Sequence, residues 1–180
     1  LRQGYLTLPQ GHRVGVCGQM VMQNGKPMRF SAIQAVNVRI ARQLPCDRRI
    51  VVALRQGEAL RSALVVSPPG FGKTTLLREV ARVLSEEGTQ VAIADERGEL
   101  AACIKGVPQL DVGPRTDVMD NMPKAEAIGL MLRALSPDLI VSDEIGSPQD
   151  AEALLDAQRC GVRVLCSAHG RSYADVRKRQ

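Results

Sequence analysis

Ser67-Pro68-Pro69-Gly70-Phe71-Gly72-Lys73-Thr74-Thr75 decides the fold of this chain, because it stands between an apolar run at 63–67 and a stretch with helical periodicity. A glycine-bearing bend where a strand meets a helix can turn successive backbone N–H groups inward, and the positive end of the helix dipole adds to them. Such a bend is a phosphate cradle. Pro69, Gly70, Phe71, Gly72, Lys73, Thr74 and Thr75 are its expected members. Lys73 would neutralise β- and γ-phosphate oxygens, and Thr74 would offer Mg²⁺ a hydroxyl. The pattern G-x-x-x-x-G-K-[ST] asks for glycine at position 67, where this chain has serine. A Pro/Gly turn ahead of an ordinary helix is the alternative. Strand, loop, lysine and threonine in that order favour binding of a nucleotide.

Beyond the bend, short apolar runs alternate with helical stretches, the signature of βαβ units and a parallel sheet. Strands are expected at 63–67, 90–94, 139–142 and 162–167. Helices are expected at 74–87, stopped by Gly88; from Pro123 toward Leu135, stopped by Pro137; and from a Ser147-Pro148-Gln149-Asp150 cap to Cys160. Residues 111–120 read as a loop. Before the bend, residues 1–43 are β-rich: runs at 5–8 and 14–17 flank Pro9-Gln10-Gly11, and Asn24-Gly25 separates 19–22 from 26–30, so a small sheet or a pair of hairpins is expected. Residues 36–41 alternate like a further strand, and 31–35 have no assignment. The fold class is α/β: a P-loop NTPase with a parallel sheet and flanking helices, preceded by a small β-rich N-terminal segment. Residues 1–60 form that segment, a partial domain. Residues 61–180 form an ATPase core expected to be truncated at its C-terminus, since the chain stops within a helical stretch.

Composition narrows the function. At 180 residues, with 44% apolar and 24% charged, the chain has the make-up of a globular domain and not of a disordered one. Its longest apolar runs, such as 63–66 and 127–132, fall far short of the roughly 20 residues a transmembrane helix needs. A net charge of +5 suits a polyanion or a membrane surface without choosing between them. Tyr5, Phe30, Phe71 and Tyr173 are the only aromatics, which disfavours a reader of single strands that stacks bases. Nucleic acid is not excluded as a partner. Five cysteines, an odd number without a CxxC pair or a secretory signal, favour reduced thiols and a cytoplasmic location.

An NTP site also needs a second metal-organising carboxylate at a strand end, and Leu139-Ile140-Val141-Ser142-Asp143-Glu144 supplies Asp143. Thr74 and Asp143 are therefore the expected Mg²⁺ residues. Glu144 is the expected general base that polarises the attacking water. Ser167 and His169, after the last apolar run, are candidates to sense the γ-phosphate. His12 reads as structural. Asp95-Glu96-Arg97-Gly98-Glu99 brings charge to the mouth of the sheet, where Glu96 can position water. In a ring an arginine can reach a neighbour's γ-phosphate; the sequence does not choose among Arg39, Arg42, Arg97, Arg115 and Arg133, and Arg115 is the one put forward.

The runs SPPGFGKTTLLREVAR, ADERGELA, SPDLIVSDEIG and GVRVLCSAHG, with GYLTLPQGHRVGVCG and NVRIARQ ahead of them, resemble the stage III sporulation protein AA family of endospore-forming bacteria. They are similar more broadly to type II/IV secretion ATPases. The resemblance implies a RecA-like ATPase of the additional-strand, catalytic-glutamate class, using ATP and Mg²⁺. It also implies a homo-oligomer, a hexameric ring, at the membrane channel complex that joins mother cell and forespore, on the mother cell side. By position, Asp143 and Glu144 resemble a Walker B pair, Asp95-Glu96-Arg97 an acidic box and His169 a histidine box. The competing functions are a nucleotide or small-molecule kinase, which needs an acceptor pocket, and a nucleic-acid-associated ATPase.

Overall fold

A computed structural model describes residues 5–57 and 59–177; residues 1–4, 58 and 178–180, which include the start of the β-rich segment and most of the basic run at 177–179, lie outside the described residues. β1 (Tyr5–Thr7) passes through a 3₁₀ turn, Pro9–Gly11, into β2 (Arg13–Gln23), and Asn24-Gly25 returns the chain as β3 (Lys26–Arg39). Asn24 and Gly25 have φ of 50° and 72°, the paired positive values of a tight hairpin turn that matches strand twist. The three strands form an antiparallel sheet in that order.

In place of separate hairpins, 26–39 form one strand, and the unassigned 31–35 lie inside it. Three register shifts leave Met28, Ser31 and Gln34 as extra residues on β3. Each such bulge breaks strict alternation, which is why the period-two pattern does not read through. The bulges keep Val38, Val36 and Phe30 opposite Val14, Val16 and Met20 on one face. Gly18 sits at a bulge where a Cβ would lie 2.0 Å from the Ala32 carbonyl oxygen.

α1 (Arg48–Ala53) follows, with the Asp47 carboxylate accepting from the Arg49 N–H at 2.9 Å, and then a short antiparallel pair, β4 (Arg55–Gln56) and β5 (Ala59–Leu60). The remainder alternates: β6 (Ala63–Ser67), α2 (Lys73–Glu86), β7 (Val91–Asp95), β8 (Thr116–Asp120), α3 (Lys124–Ala134), β9 (Leu139–Glu144), α4 (Pro148–Arg159), β10 (Arg163–His169) and α5 (Tyr173–Arg177). The sheet order is β6-β10-β9-β7-β8, and every pairing is parallel. Leu77, Val80 and Leu84 of α2 bury Val91, Ile93, Leu139 and Val141 on one face. On the other, Ile128 and Met131 of α3 and Leu154 and Ala157 of α4 bury Ala92, Ala94, Ile140 and Val164. Both faces are covered, so these strands read as continuous apolar runs.

One expectation is corrected. Residues 111–120 are not all loop, because Thr116–Asp120 pairs in parallel with β7 as the edge strand. Its exposed Asp117 and half-buried Val118 and Met119 reflect its place at the edge, paired on one side only, with Val118 against one core cluster and Met119 against the other.

The N-terminal sheet meets the core at a polar seam. Tyr5 Oη donates to the Arg97 carbonyl at 3.0 Å. The Arg13 guanidinium stacks 4.6 Å over the Tyr5 ring, donates to the same carbonyl and pairs with Glu99 at 3.0 Å. His12 Nδ1 accepts from the Ala41 N–H at 3.1 Å, a structural role as expected.

Candidate phosphate and metal site

In a parallel sheet the strand ends that face a ligand lie on one edge, and here β6, β10 and β9 bring the phosphate-loop lysine, two hydroxyls, two carboxylates and a histidine to it. The bend between β6 and α2 holds Gly70 at φ 81° and Gly72 at φ 80°. A Cβ on either would meet nothing within 4 Å, so these glycines are required by backbone conformation and not by crowding. Ser67 differs from both. It is the last residue of β6 and is not among the described residues with positive φ, so serine stands there without strain. Its carbonyl accepts from Lys73 Nζ at 2.9 Å, and that of Pro68 does so at 3.0 Å. Phe71 projects from the apex of the bend, 75% exposed. Pro69 is exposed beside it, and Thr75 is half-buried in the first turn of α2.

The end of β9 departs from regular pairing. Ser142 lies opposite Cys166 and Glu144 opposite Ser167, leaving Asp143 as the extra residue of a bulge. A bulge re-aims side chains. Asp143 Oδ2 accepts from the Thr74 hydroxyl at 3.2 Å, and Oδ1 from the Ser167 hydroxyl at 3.2 Å. Glu144 turns the other way, its Oε2 lying 3.0 Å from His169 Nε2. His169 Nδ1 is 2.9 Å from Lys73 Nζ. An ammonium can only donate, so Nδ1 accepts and the ring proton sits on Nε2, directed at Glu144. Lys73, His169 and Glu144 thus form one hydrogen-bonded chain. The Thr74 hydroxyl and the Asp143 carboxylate are the hard oxygen donors that Mg²⁺ takes beside phosphate oxygens, so the residues present fit the ion and a triphosphate.

The acidic run after β7 divides by role. Asp95 is 1% exposed, and its carboxylate accepts from the N–H groups of Glu99, Leu100 and Ala101 at 2.7, 3.1 and 2.8 Å. It shapes the loop. Arg78 holds the same loop from α2 through the Leu100 and Glu99 carbonyls at 2.5 and 2.8 Å; burial draws its pKa down against the charges of Asp95, Glu79 and Asp143. Glu96 is more exposed and faces Lys124, with 3.9 Å between Nζ and Oε2. Lys124, in the Pro-Lys-Ala-Glu helix start that shares in the family resemblance, has no role assigned from sequence. It lies in a Pro-Lys pair at a helix start, and nothing local marks its ammonium as reaching the Glu144 carbonyl, to which it donates.

Arg115 does not join the site of its own chain. It precedes β8 at the opposite edge of the sheet, where its N–H donates to Ser85 Oγ at 2.7 Å and its guanidinium to the Gly88 carbonyl at 3.3 Å. A cleft of about 190 Å³ between the N-terminal sheet and the core runs past Arg13, Arg39 and Arg78 to Thr74.

The family model described as "Sporulation stage III, protein AA" matches residues 1–180. Stage III sporulation protein AA of Bacillus subtilis (strain 168) is 44% identical over 186 residues, a match covering 99% of this chain and 60% of that protein. Among solved structures, the ATPase DotB of Legionella pneumophila superposes with a TM-score of 0.60 at 20% identity, over 93% of this chain and 45% of that one. The pilus retraction motor PilT with bound ADP gives 0.59 at 18%, over 93% and 46%. At such identities the likeness shows the fold alone, the parallel sheet with flanking helices that those two proteins share with this chain. The chain therefore spans 60% of the Bacillus protein and under half of either solved chain.

Proposed function

The chain belongs to the sporulation stage III protein AA family, and from that premise we propose that it binds and hydrolyses Mg·ATP as the nucleotide-driven part of a secretion-type assembly. The observation that carries this is the hydrogen-bonded chain Lys73–His169–Glu144 beside the Thr74–Asp143 pair. A phosphate binder, two metal ligands and a base candidate share one edge.

The backbone of Gly70 to Thr75 and the Lys73 ammonium would grip the phosphates, and Ser167 keeps Asp143 turned toward Thr74. Thr74 and Asp143 would hold Mg²⁺, which when bound supplies neutralisation of phosphate charge. Glu144 takes the proton of the attacking water at Oε2 or Oε1, and His169 holds that carboxylate in place. The ammonium of Lys73 links phosphate binding to the same histidine, so the chain couples the cradle to the base. Glu96, at the mouth, would position water.

The assembly is read as a homo-oligomeric ring, a hexamer, working on a membrane-associated channel complex on the mother cell side. Its support is the family and a fold shared with a pilus retraction motor. Arg115, on the far edge, enters only as a residue offered to a neighbouring copy. No helix among the described residues is long and apolar enough to cross a membrane.

Steady-state phosphate release tests the proposal. Glu144→Gln should keep Mg·ATP binding and lose turnover by about a hundredfold or more. Lys73→Ala should weaken binding itself by about tenfold or more. Unchanged turnover in Glu144→Gln would remove the glutamate as base. Transfer to an added small acceptor would instead identify a kinase, and steeply salt-dependent binding of nucleic acid the third class.

A further inference from the structure

β9 outruns its neighbour β7. The ladder between them ends at the Ala94–Ser142 pair; β7 runs one residue further, to Asp95, level with Asp143, so the main chain of Glu144 has no strand beside it on that flank. From there the chain's two principal carboxylates are presented by a strand end paired only to β10, and through an irregular bulge. A strand end held on one side is free to twist. Lys124 fills the open flank. It is the first residue of α3, only 7% exposed, and its ammonium donates to the Glu144 carbonyl while lying 3.9 Å from the Glu96 carboxylate. A small cavity joins these groups to Asp95 and Asp143.

Burying an ammonium is costly unless its partners replace water. A methionine or leucine would fill the same space beneath α3 without that penalty, so the charge at position 124 needs a reason beyond packing. The geometry points to Lys124 as a positioning residue that fixes the Glu144 main chain on the flank β7 leaves open, and ties it to Glu96. This rests on Glu144 being the base of the proposed hydrolysis. His169 then sets the direction of the carboxylate, while Lys124 sets the height of the backbone that carries it. The loop that bears Glu96 is the one that Tyr5 and Arg13 hold from the N-terminal sheet, so the tie reaches the seam between the two parts of the molecule.

The test compares Lys124→Met and Lys124→Arg with the unaltered full chain in two measurements. In the first, hydrogen exchange without nucleotide should quicken over 142–146 in Lys124→Met, while β7 and the first residues of β9 stay protected; Lys124→Arg, which keeps a cation, should restore most of the protection. In the second, kcat for phosphate release from Mg·ATP should fall about ten- to a hundredfold in Lys124→Met with KM changed less than about twofold, and recover in Lys124→Arg. Exchange at 142–146 equal to the unaltered chain overturns the proposal. So does a raised KM at unchanged kcat, or a loss of protection throughout the sheet that arginine does not restore. If the unaltered chain releases no phosphate, the hydrolysis proposal falls by itself, and the exchange comparison still decides the role of Lys124.

Discussion

β7 and the face of β3 that carries Phe30, Ile33, Val36 and Val38 are both apolar, and they live in different surroundings. All five residues of β7 are buried, whereas β3 exposes every residue except Phe30, with Ile33, Val36 and Val38 about 60% exposed. The difference is the second layer. β7 has α2 on one face and α3 on the other. The apolar face that β2 and β3 share has no such helix against it among the described residues. Side-chain pattern sets which residues share a face; coverage sets what that face contributes to stability. The candidate site follows the same rule, because Lys73, Asp143, Glu144 and His169 sit at the ends of elements packed on both sides. Rigid strands can hold reacting groups to a fraction of an ångström, and a ribbon open to solvent cannot.

The largest expected effect separates the two regions by stability. Leu77 is fully buried under the sheet, so Leu77→Ala should cost about 2–5 kcal/mol through lost transfer energy and the cavity left behind. Val38→Ala, on the ribbon, should stay within about 0.5 kcal/mol. Denaturant unfolding of the two variants measures both. Equal losses would mean that the ribbon face is covered in solution, and the contrast would collapse.

A smaller effect falls on the seam. Gly11 has φ 77°, and a Cβ there would lie 2.9 Å from Leu110 Cγ and 3.2 Å from Ala102 Cβ. Gly11→Ala combines left-handed backbone strain of about 1–2 kcal/mol with that clash. Hydrogen exchange should rise over β1 and the start of β2, while β7 and β9 keep their protection. A rise of similar size in β7 would show the N-terminal sheet and the core to be a single cooperative unit.

The same contrast explains what was legible in the sequence. The core strands were readable because burial on both faces makes their apolar runs continuous, and the phosphate loop because its chemistry is local. Ser147 as a cap was readable too, and its side chain does accept from the Asp150 N–H. Thr116–Asp120 reads as loop because an edge strand, paired on one side only, carries Asp117 and Asp120 between its apolar residues. The length of β3 was missed because three bulges interrupt its alternation. In the site, Lys73, Thr74, Asp143, Glu144 and His169 come together because Asp143, Glu144 and His169 end two strands of one parallel sheet and Lys73 and Thr74 open the helix after a third. Lys124 was illegible because its significance depends on β7 ending before β9 does, a fact of register that local sequence does not carry. Asp95 appeared as one charge in an acidic run, and only the loop's folding back shows that its carboxylate serves three backbone N–H groups.

The smallest expected effect contrasts thiols on the two regions. Cys17, on β2, and Cys160, after α4, are exposed; Cys166, on β10, is buried. Burial pushes the Cys166 pKa from an ordinary 9.0 up to about 11, with Lys124 opposing. Burial, followed by the charges of Asp120 and Asp95, pushes that of Cys103 up to about 11 as well. A thiol raised by two units carries roughly a hundredth of the usual thiolate at a given pH, so a thiolate-directed reagent at pH 8 should label Cys17 and Cys160 long before Cys103 and Cys166. The folded state holds these two protons more tightly than the unfolded state does. Their contribution to stability is therefore complete below about pH 9 and is lost as pH rises through about 11. Cys166→Ala should flatten part of that alkaline decline, apart from any cost of the smaller side chain, and Cys17→Ala should leave it alone. Labelling of Cys166 at the rate of Cys17 in folded protein would mean that β10 opens as readily as the ribbon, and a strand that opens so easily could not hold His169 against Glu144.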